Sequence, residues 1–98
     1  MHDLARKRVL VVGLGKSGVS SALFLSRRGA RVTVSDARTE EQLRSELPTL
    51  LDAGVAIETG GHGERTFRAQ DLIVVSPGVP ASQPQLQRAR EFGIPIVG

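Results

Sequence analysis

Residues 9–18 read VLVVGLGKSG, in which an apolar run passes directly into the spacing G-x-G-x-x-G. Four consecutive apolar residues are typical of a strand buried on both faces. In this context Gly13 permits a tight turn, Gly15 lets the backbone approach a phosphate, and Gly18 lets a helix pack closely on the sheet. The stretch therefore predicts a strand, a turn and a helix whose first N–H groups attract an anion. A glycine turn needed only for packing is the alternative.

The rest of the chain alternates strands with helices. We predict strands at residues 9–12, 31–35, 55–59, 72–75 and 95–97. We predict helices at residues 17–28, 40–52 and 85–92, with a short helical turn at 64–69. This alternation predicts an α/β fold, a Rossmann-like doubly wound sheet of five parallel strands in the order 3-2-1-4-5. The strands, the last one included, are predicted to be buried.

The second predicted helix carries a start signal and a break signal. Thr39 precedes it and Gln42 stands three residues later, which is the spacing of a capping box. Pro48 lies inside it and predicts a break or a kink. Its apolar stripe consists of leucines at positions 43, 47, 50 and 51.

Two loops are predicted at the edge of the sheet where such folds bind ligands. Residues 13–18 follow the first strand and residues 76–80 follow the fourth, so the two loops face each other across the point where the strand order reverses. Gly78 would let the second loop close over a bound phosphate or sugar. A rigid exit loop that leads to a helix cap at Ser82 or Gln83 is equally compatible with the pattern.

Charged residues near the glycine loop are candidates for ligand contact. Asp36 ends the second strand at about the distance from the loop, roughly 20 residues, at which an acidic residue binds ribose hydroxyls. It could instead begin a turn. Arg38 could meet a phosphate or lie flat on a base, and Lys16 could contact phosphate or face solvent.

Composition excludes several classes of protein. The 98 residues contain no cysteine, so there is neither a disulfide nor a thiolate zinc site. The net charge of +3 comes from scattered arginines, and three phenylalanines are the only aromatic residues, so we expect no nucleic-acid partner. No apolar run approaches the roughly 20 residues of a membrane span. We therefore expect a cytoplasmic protein with no membrane partner.

No catalytic or metal-ligating constellation is visible in the sequence. We find no Ser-His-Asp set, no paired carboxylates and no cluster with metal-ligand spacing. His62 lies in a glycine-rich loop without a nearby histidine or cysteine, and we predict a hydrogen-bonding role for it.

The chain resembles the N-terminal domain of the Mur ligases. The resemblance is carried by the glycine loop at 11–18, Asp36-Ala37-Arg38, the strand and loop DLIVVSPGVP at 71–80, the Gly61-His62 loop and the closing GIPIVG at 93–98. Within that family it is closest to the branch that adds D-glutamate to UDP-N-acetylmuramoyl-L-alanine. The resemblance implies a part in peptidoglycan biosynthesis, and hence in cell-wall formation, cell shape and cell division.

The resemblance also implies which residues bind the UDP part of the substrate. The diphosphate would be lined by Leu14, Gly15, Lys16, Ser17 and Gly18. Uracil and ribose would be surrounded by Asp36, Ala37 and Arg38, and Gly78 would close over the substrate. The family often has a hydroxyl residue after the aspartate, whereas this chain has Ala37.

In that family a central domain with a P-loop binds ATP and magnesium, and a last domain binds the incoming amino acid. The reaction is an ADP-forming ligation through an acyl phosphate. We expect residues 1–98 to be the N-terminal domain alone, with no bound cofactor and no ligase activity of its own.

Two other functions fit parts of the pattern. The glycine loop and Asp36 allow an NAD(P)-binding domain of a dehydrogenase, although Arg38 and the Ser76-Pro77-Gly78 loop would have no special role there. A regulatory nucleotide-sensing module is a third hypothesis, for which no residue argues directly.

Overall fold

Residues 4–98 are described here from a computed structural model, and five parallel strands in this range form one sheet. The strands are β1 (Arg8–Val12), β2 (Arg31–Asp36), β3 (Ala56–Thr59), β4 (Leu72–Val75) and β5 (Ile96–Val97). Their order is β3-β2-β1-β4-β5, which confirms the predicted topology. All four pairings are parallel.

Five helices connect the strands within the described range. They are α1 (Lys16–Arg27), α2 (Glu40–Leu43), α3 (Leu47–Asp52), α4 (Glu64–Arg68) and α5 (Pro84–Glu91). The predicted elements are confirmed to within one residue at each end, except for the helix at 40–52. Gln83 caps α5 by accepting a hydrogen bond from the Leu86 N–H, and Pro84 takes the first turn.

The predicted helix at 40–52 is two helices. Thr39 and Gln42 form the predicted capping box at the start of α2. The break predicted at Pro48 is confirmed, because Pro48 lies in the first turn of α3, where its missing N–H costs nothing, and a new helix starts there. The apolar stripe assumed one continuous helix and is wrong for Leu51, whose surface is 60% exposed, whereas Leu50 is fully buried.

Side chains of the sheet alternate between two apolar cores. In β1, Val9 and Val11 point into the core beneath α1 and α3, while Leu10 and Val12 point into the core beneath α4 and α5. Helices therefore cover both faces of the sheet, as in a doubly wound fold. The predicted burial of the last strand is wrong, because β5 forms the edge of the sheet and Val97 is 49% exposed.

Leu10 provides a test of this packing. Leu10→Ala removes a fully buried side chain from the core beneath α4 and α5 and should lower the free energy of unfolding by about 2–5 kcal/mol. Leu51→Ala makes the same chemical change at an exposed position and should cost about 0.5 kcal/mol or less. Urea denaturation followed by circular dichroism measures both. Equal losses for the two variants would contradict the assignment of Leu10 to the core.

Candidate functional site

A cleft of about 520 Å³ opens at the carboxyl end of the sheet, where the strand order reverses between β1 and β4. The loops that follow β1, β2, β3 and β4 all contribute to its wall, and both predicted glycine loops are among them. The lining residues are Gly13, Leu14, Gly15, Asp36, Ala37, Arg38, His62, Ser76, Pro77, Gly78, Val79, Pro80 and Gln83.

Gly13 and Gly18 shape the turn between β1 and α1. Gly13 has a φ of +91°, its N–H donates to the Ser35 carbonyl oxygen at 2.8 Å, and its own carbonyl oxygen accepts from Ser76 Oγ at 2.7 Å. A Cβ on Gly18 would lie 2.0 Å from that same carbonyl oxygen. The two glycines therefore allow the close packing of helix on sheet that the spacing predicted.

Gly15 has a different environment. Its φ is −88°, and a Cβ placed on it would meet no heavy atom within 4 Å. No side chain caps α1, and the N–H groups of Lys16, Ser17 and Gly18 find no acceptor in the described range 4–98. The first turn of α1 thus presents free donors and the positive end of the helix dipole beside the cleft.

The predicted diphosphate residues are divided between two positions. Leu14 and Gly15 line the cleft, whereas Lys16 and Ser17 lie exposed at the start of α1, outside the lining. Gly18 is buried against the β1–α1 turn. Leu14 lines the cleft although the whole residue is only 1% exposed.

Asp36 joins two walls of the cleft. Its Oδ2 accepts from the Leu14 N–H at 2.7 Å and from Arg38 Nη2 at 3.0 Å, and its Oδ1 accepts from the Arg38 N–H at 2.8 Å and Nε at 3.1 Å. Arg38 Nη2 also donates to the Leu14 carbonyl oxygen at 2.7 Å. The β1–α1 loop is thereby held to the end of β2 by a charged side-chain pair.

These contacts determine the protonation state of Asp36. Burial by itself would raise the pKa of the carboxyl, but hydrogen bonds from the Arg38 guanidinium and from the Arg38 and Leu14 N–H groups lower it from 3.8 to about 2. The guanidinium in turn has its pKa raised by its hydrogen bonds to the carboxylate. The pair is therefore fully ionised at neutral pH.

The facing wall is formed by the loop after β4. Gly78 has a φ of +95°, and a Cβ there would meet nothing within 4 Å. Ala37 lines the cleft next to Asp36, and its methyl group supplies no hydrogen-bonding atom. Six of the nine predicted binding residues thus line one cleft: Leu14, Gly15, Asp36, Ala37, Arg38 and Gly78.

His62 lines the cleft, although it is not among the predicted binding residues. Its Nδ1 lies 2.5 Å from Ser35 Oγ, and its ring packs edge-on against Phe67. The predicted hydrogen-bonding role is confirmed. A parallel sheet places the loop after β3 at the same edge as the cleft, and this signal could have identified His62 as a cleft residue. Ser35 is fully buried, and the Asp36 carboxylate binds Leu14 and Arg38, so this Ser–His pair is not arranged as a nucleophile and base.

A sequence profile of the Mur ligase MurD-like N-terminal domain matches residues 7–98. The chain belongs to this family. The UDP-N-acetylmuramoylalanine--D-glutamate ligase of Koribacter versatilis is 67% identical over 96 residues, which cover 98% of this chain and 21% of the relative. This MurD-like N-terminal domain thus spans about one fifth of the length of the curated relatives that it matches.

Solved structures share the fold. A pseudomurein peptide ligase type C from Methanothermus fervidus matches 95% of this chain and 19% of its own length, with a TM-score of 0.78 and 24% identity. D-Lactate dehydrogenase from Escherichia coli matches 97% of this chain and 29% of its own length, with a TM-score of 0.69 and 21% identity. Because a ligase and a dehydrogenase share this architecture, the function has to be argued from the cleft.

The Asp36 pair makes stability depend on pH. Because the pKa of Asp36 is lower in the folded chain than its ordinary 3.8, its charge stabilises the fold above about pH 4, by about 2 kcal/mol. This contribution is lost as the pH falls through about 2. Asp36→Asn should therefore be less stable than the parent at pH 6, with the difference shrinking toward pH 2.

Urea denaturation between pH 2 and pH 7 measures this difference. Asp52→Asn is the matched control, since Asp52 is exposed at the end of α3, and its stability should follow the parent at every pH. A difference between Asp36→Asn and the parent that stays constant across this range would contradict the argument.

Proposed function

We propose that this MurD-like domain binds the UDP part of UDP-N-acetylmuramoyl-L-alanine for a ligase that adds D-glutamate to it. The observation that carries the proposal is that free N–H groups at the start of α1 lie beside the cleft that Gly15 and Arg38 line. Anionic phosphates are the ligands that such a helix start favours. The name of the relative with 67% identity supports the choice of nucleotide sugar.

The diphosphate is assigned to the first turn of α1. Gly15 leaves room for phosphate oxygens to approach the backbone, and the N–H groups of Lys16 and Ser17 are free to donate to them. The Lys16 side chain is exposed beside this turn and adds a positive charge. Gly18 contributes by allowing the helix to start this close to the sheet.

Uracil and ribose are assigned to the wall formed by residues 36–38. Hydrogen bonds to Asp36 and Leu14 hold the Arg38 guanidinium in place, while 46% of the side-chain surface remains exposed. A fixed planar guanidinium provides a stacking surface for a planar base. Gly78 lies in the facing loop and is assigned to the closure of the site over the sugar.

The same contacts argue against a dinucleotide site. A carboxylate has about four lone-pair sites, and Asp36 already accepts four hydrogen bonds from Leu14 and Arg38. In a dehydrogenase the corresponding carboxylate binds ribose hydroxyls. Asp36 has no acceptor left for this role, which favours the ligase over the NAD(P)-binding alternative.

ATP and magnesium are proposed to bind elsewhere in the ligase. Residues 4–98 bring together no group of three or more carboxylate or histidine side chains, and the glycine loop lacks the G-x-x-x-x-G-K-[ST] spacing of a P-loop. The loop therefore does not match the motif with which P-loop proteins hold the phosphates of MgATP. We propose that residues 1–98 are the N-terminal domain of a longer ADP-forming ligase and do not catalyse ligation alone.

The proposed reaction belongs to peptidoglycan synthesis, and its nucleotide-linked substrate and ATP requirement indicate the cytoplasm. No helix in the described range is long and apolar enough to cross a membrane.

Calorimetric titration tests the ligand class. We expect the 98-residue chain to bind UDP-N-acetylmuramoyl-L-alanine and UDP, with the nucleotide part supplying most of the affinity, and to show no heat of binding with NADH. Binding of NADH without binding of either UDP compound would support the dehydrogenase alternative and reject the proposal.

Gly15→Val tests the phosphate position. The side chain would fill the space at the start of α1 without a clash, so the variant should fold like the parent but bind UDP at least about tenfold more weakly. Ser20→Val is the matched control, because Ser20 lies on the exposed surface of α1 outside the cleft. Unchanged UDP affinity in a folded Gly15→Val variant would show that this turn does not hold the phosphates.

A further inference from the structure

His62 is held firmly at the wall of the cleft. Ser35 Oγ lies 2.5 Å from its Nδ1, Gln85 Nε2 donates to its carbonyl oxygen at 3.1 Å, and Phe67 meets its ring edge-on with centroids 5.8 Å apart. The contacts with the ring come from β2 and α4, and α5 holds the backbone of the residue, so the position of the imidazole is fixed. A ring fixed in this way loses little rotamer freedom when it binds a ligand.

The second nitrogen of the ring is left free by these contacts. Within residues 4–98, Nε2 of His62 has no hydrogen-bond partner, and it is not among the buried polar atoms that lack one. The residue lines the cleft. The arrangement therefore resembles that of a ligand-binding histidine, in which one nitrogen is oriented by the protein and the other is available.

The charge of the cleft depends on this ring. Asp36, Arg38 and His62 are the titratable residues among those that line it, and the first two neutralise each other. Asp36 from β2 and Glu58 from β3 favour the protonated ring, whereas α4 and α5 present the uncharged Phe67 and Gln85. Burial outweighs the two carboxylates and lowers the pKa of His62. The imidazole is therefore mostly neutral at pH 7.

We propose that His62 is a further ligand-binding residue, whose Nε2 donates a hydrogen bond to the nucleotide-sugar diphosphate and whose ring takes up a proton as that dianion binds. This inference rests on the proposed function, which supplies the dianion. A dianion in the cleft favours the imidazolium, so binding is coupled to proton uptake and strengthens as the pH falls.

Calorimetric titration of the 98-residue chain with UDP-N-acetylmuramoyl-L-alanine, between pH 5.5 and pH 8, tests this coupling. This probe is chosen because its diphosphate is a diester and its carboxyl group titrates well below this range. We expect affinity to be about tenfold higher at pH 6 than at pH 8. In buffers of different ionisation enthalpy, the heats should reveal net proton uptake near pH 7.

Two variants separate ligand contact from loop structure. The Asn amide reaches the position of Nδ1, so His62→Asn keeps the contact with Ser35 but lacks the group at Nε2. The Gln amide reaches the position of Nε2 without titrating. At pH 6 we expect His62→Asn to bind about tenfold more weakly than the parent and His62→Gln to recover part of the loss. Both should show affinity independent of pH.

The outcomes distinguish this inference from the function on which it rests. If the parent binds the probe and folded His62→Asn matches it in affinity and pH profile, His62 does not contact the ligand and the inference alone is overturned. A pH profile that persists in His62→Gln also overturns it, because the proton would then be taken up elsewhere. If the parent does not bind the probe at any pH, the proposed function fails and the inference fails with it.

Discussion

The carboxylate of Asp36 connects the parts of the molecule on which the cleft depends. It accepts hydrogen bonds from the Leu14 N–H in the loop after β1 and from the backbone and guanidinium of Arg38 after β2. A buried carboxylate with four donors is stable only as an ion, and the guanidinium supplies the balancing charge. Because the carboxylate and the guanidinium carry opposite charges and bind each other, the pair orders two walls of the cleft and adds no net charge to them.

The donors that remain free lie where an anion would bind. The first turn of α1 has no side-chain cap, and Gly15 keeps the space beside it open. A serine or aspartate at this helix start would cap it, whereas Gly15 leaves the donors free at a cost of only about a few tenths of a kcal/mol. At α2, where no cleft opens, Thr39 and Gln42 form a full capping box. Helices α3 and α4 also begin without a side-chain cap, so it is the open space at Gly15 beside the cleft, and not the missing cap alone, that agrees with a binding role for the start of α1.

The sequence predicted most of the fold because its signals were local. Apolar runs bounded by glycine and proline located the strands, and the spacing of Gly13, Gly15 and Gly18 identified the turn at which the sheet binds ligands. Two expectations about exposure were wrong. The apolar stripe included Leu51, although the break at Pro48, which is a local signal, leaves this residue exposed in a separate helix. The exposure of Val97 depends instead on the place of β5 at the edge of the sheet, where no strand covers it within the described residues, and its own segment does not contain that information.

The amino-acid sequence was enough to predict the fold class, the strand order and the meeting of Gly15, Asp36, Arg38 and Gly78 at one cleft, because parallel strands bring the ends of successive segments to the same edge. What each of these groups can still bind follows from the folded structure alone. In the folded chain Gly18 packs against a carbonyl oxygen, and the carboxylate oxygens of Asp36 already accept hydrogen bonds from Leu14 and Arg38. His62, in the loop after β3, contacts Ser35 at the wall of the cleft. Such properties depend on hydrogen-bonding capacity left after packing, and contacts between residues distant in the chain determine that capacity.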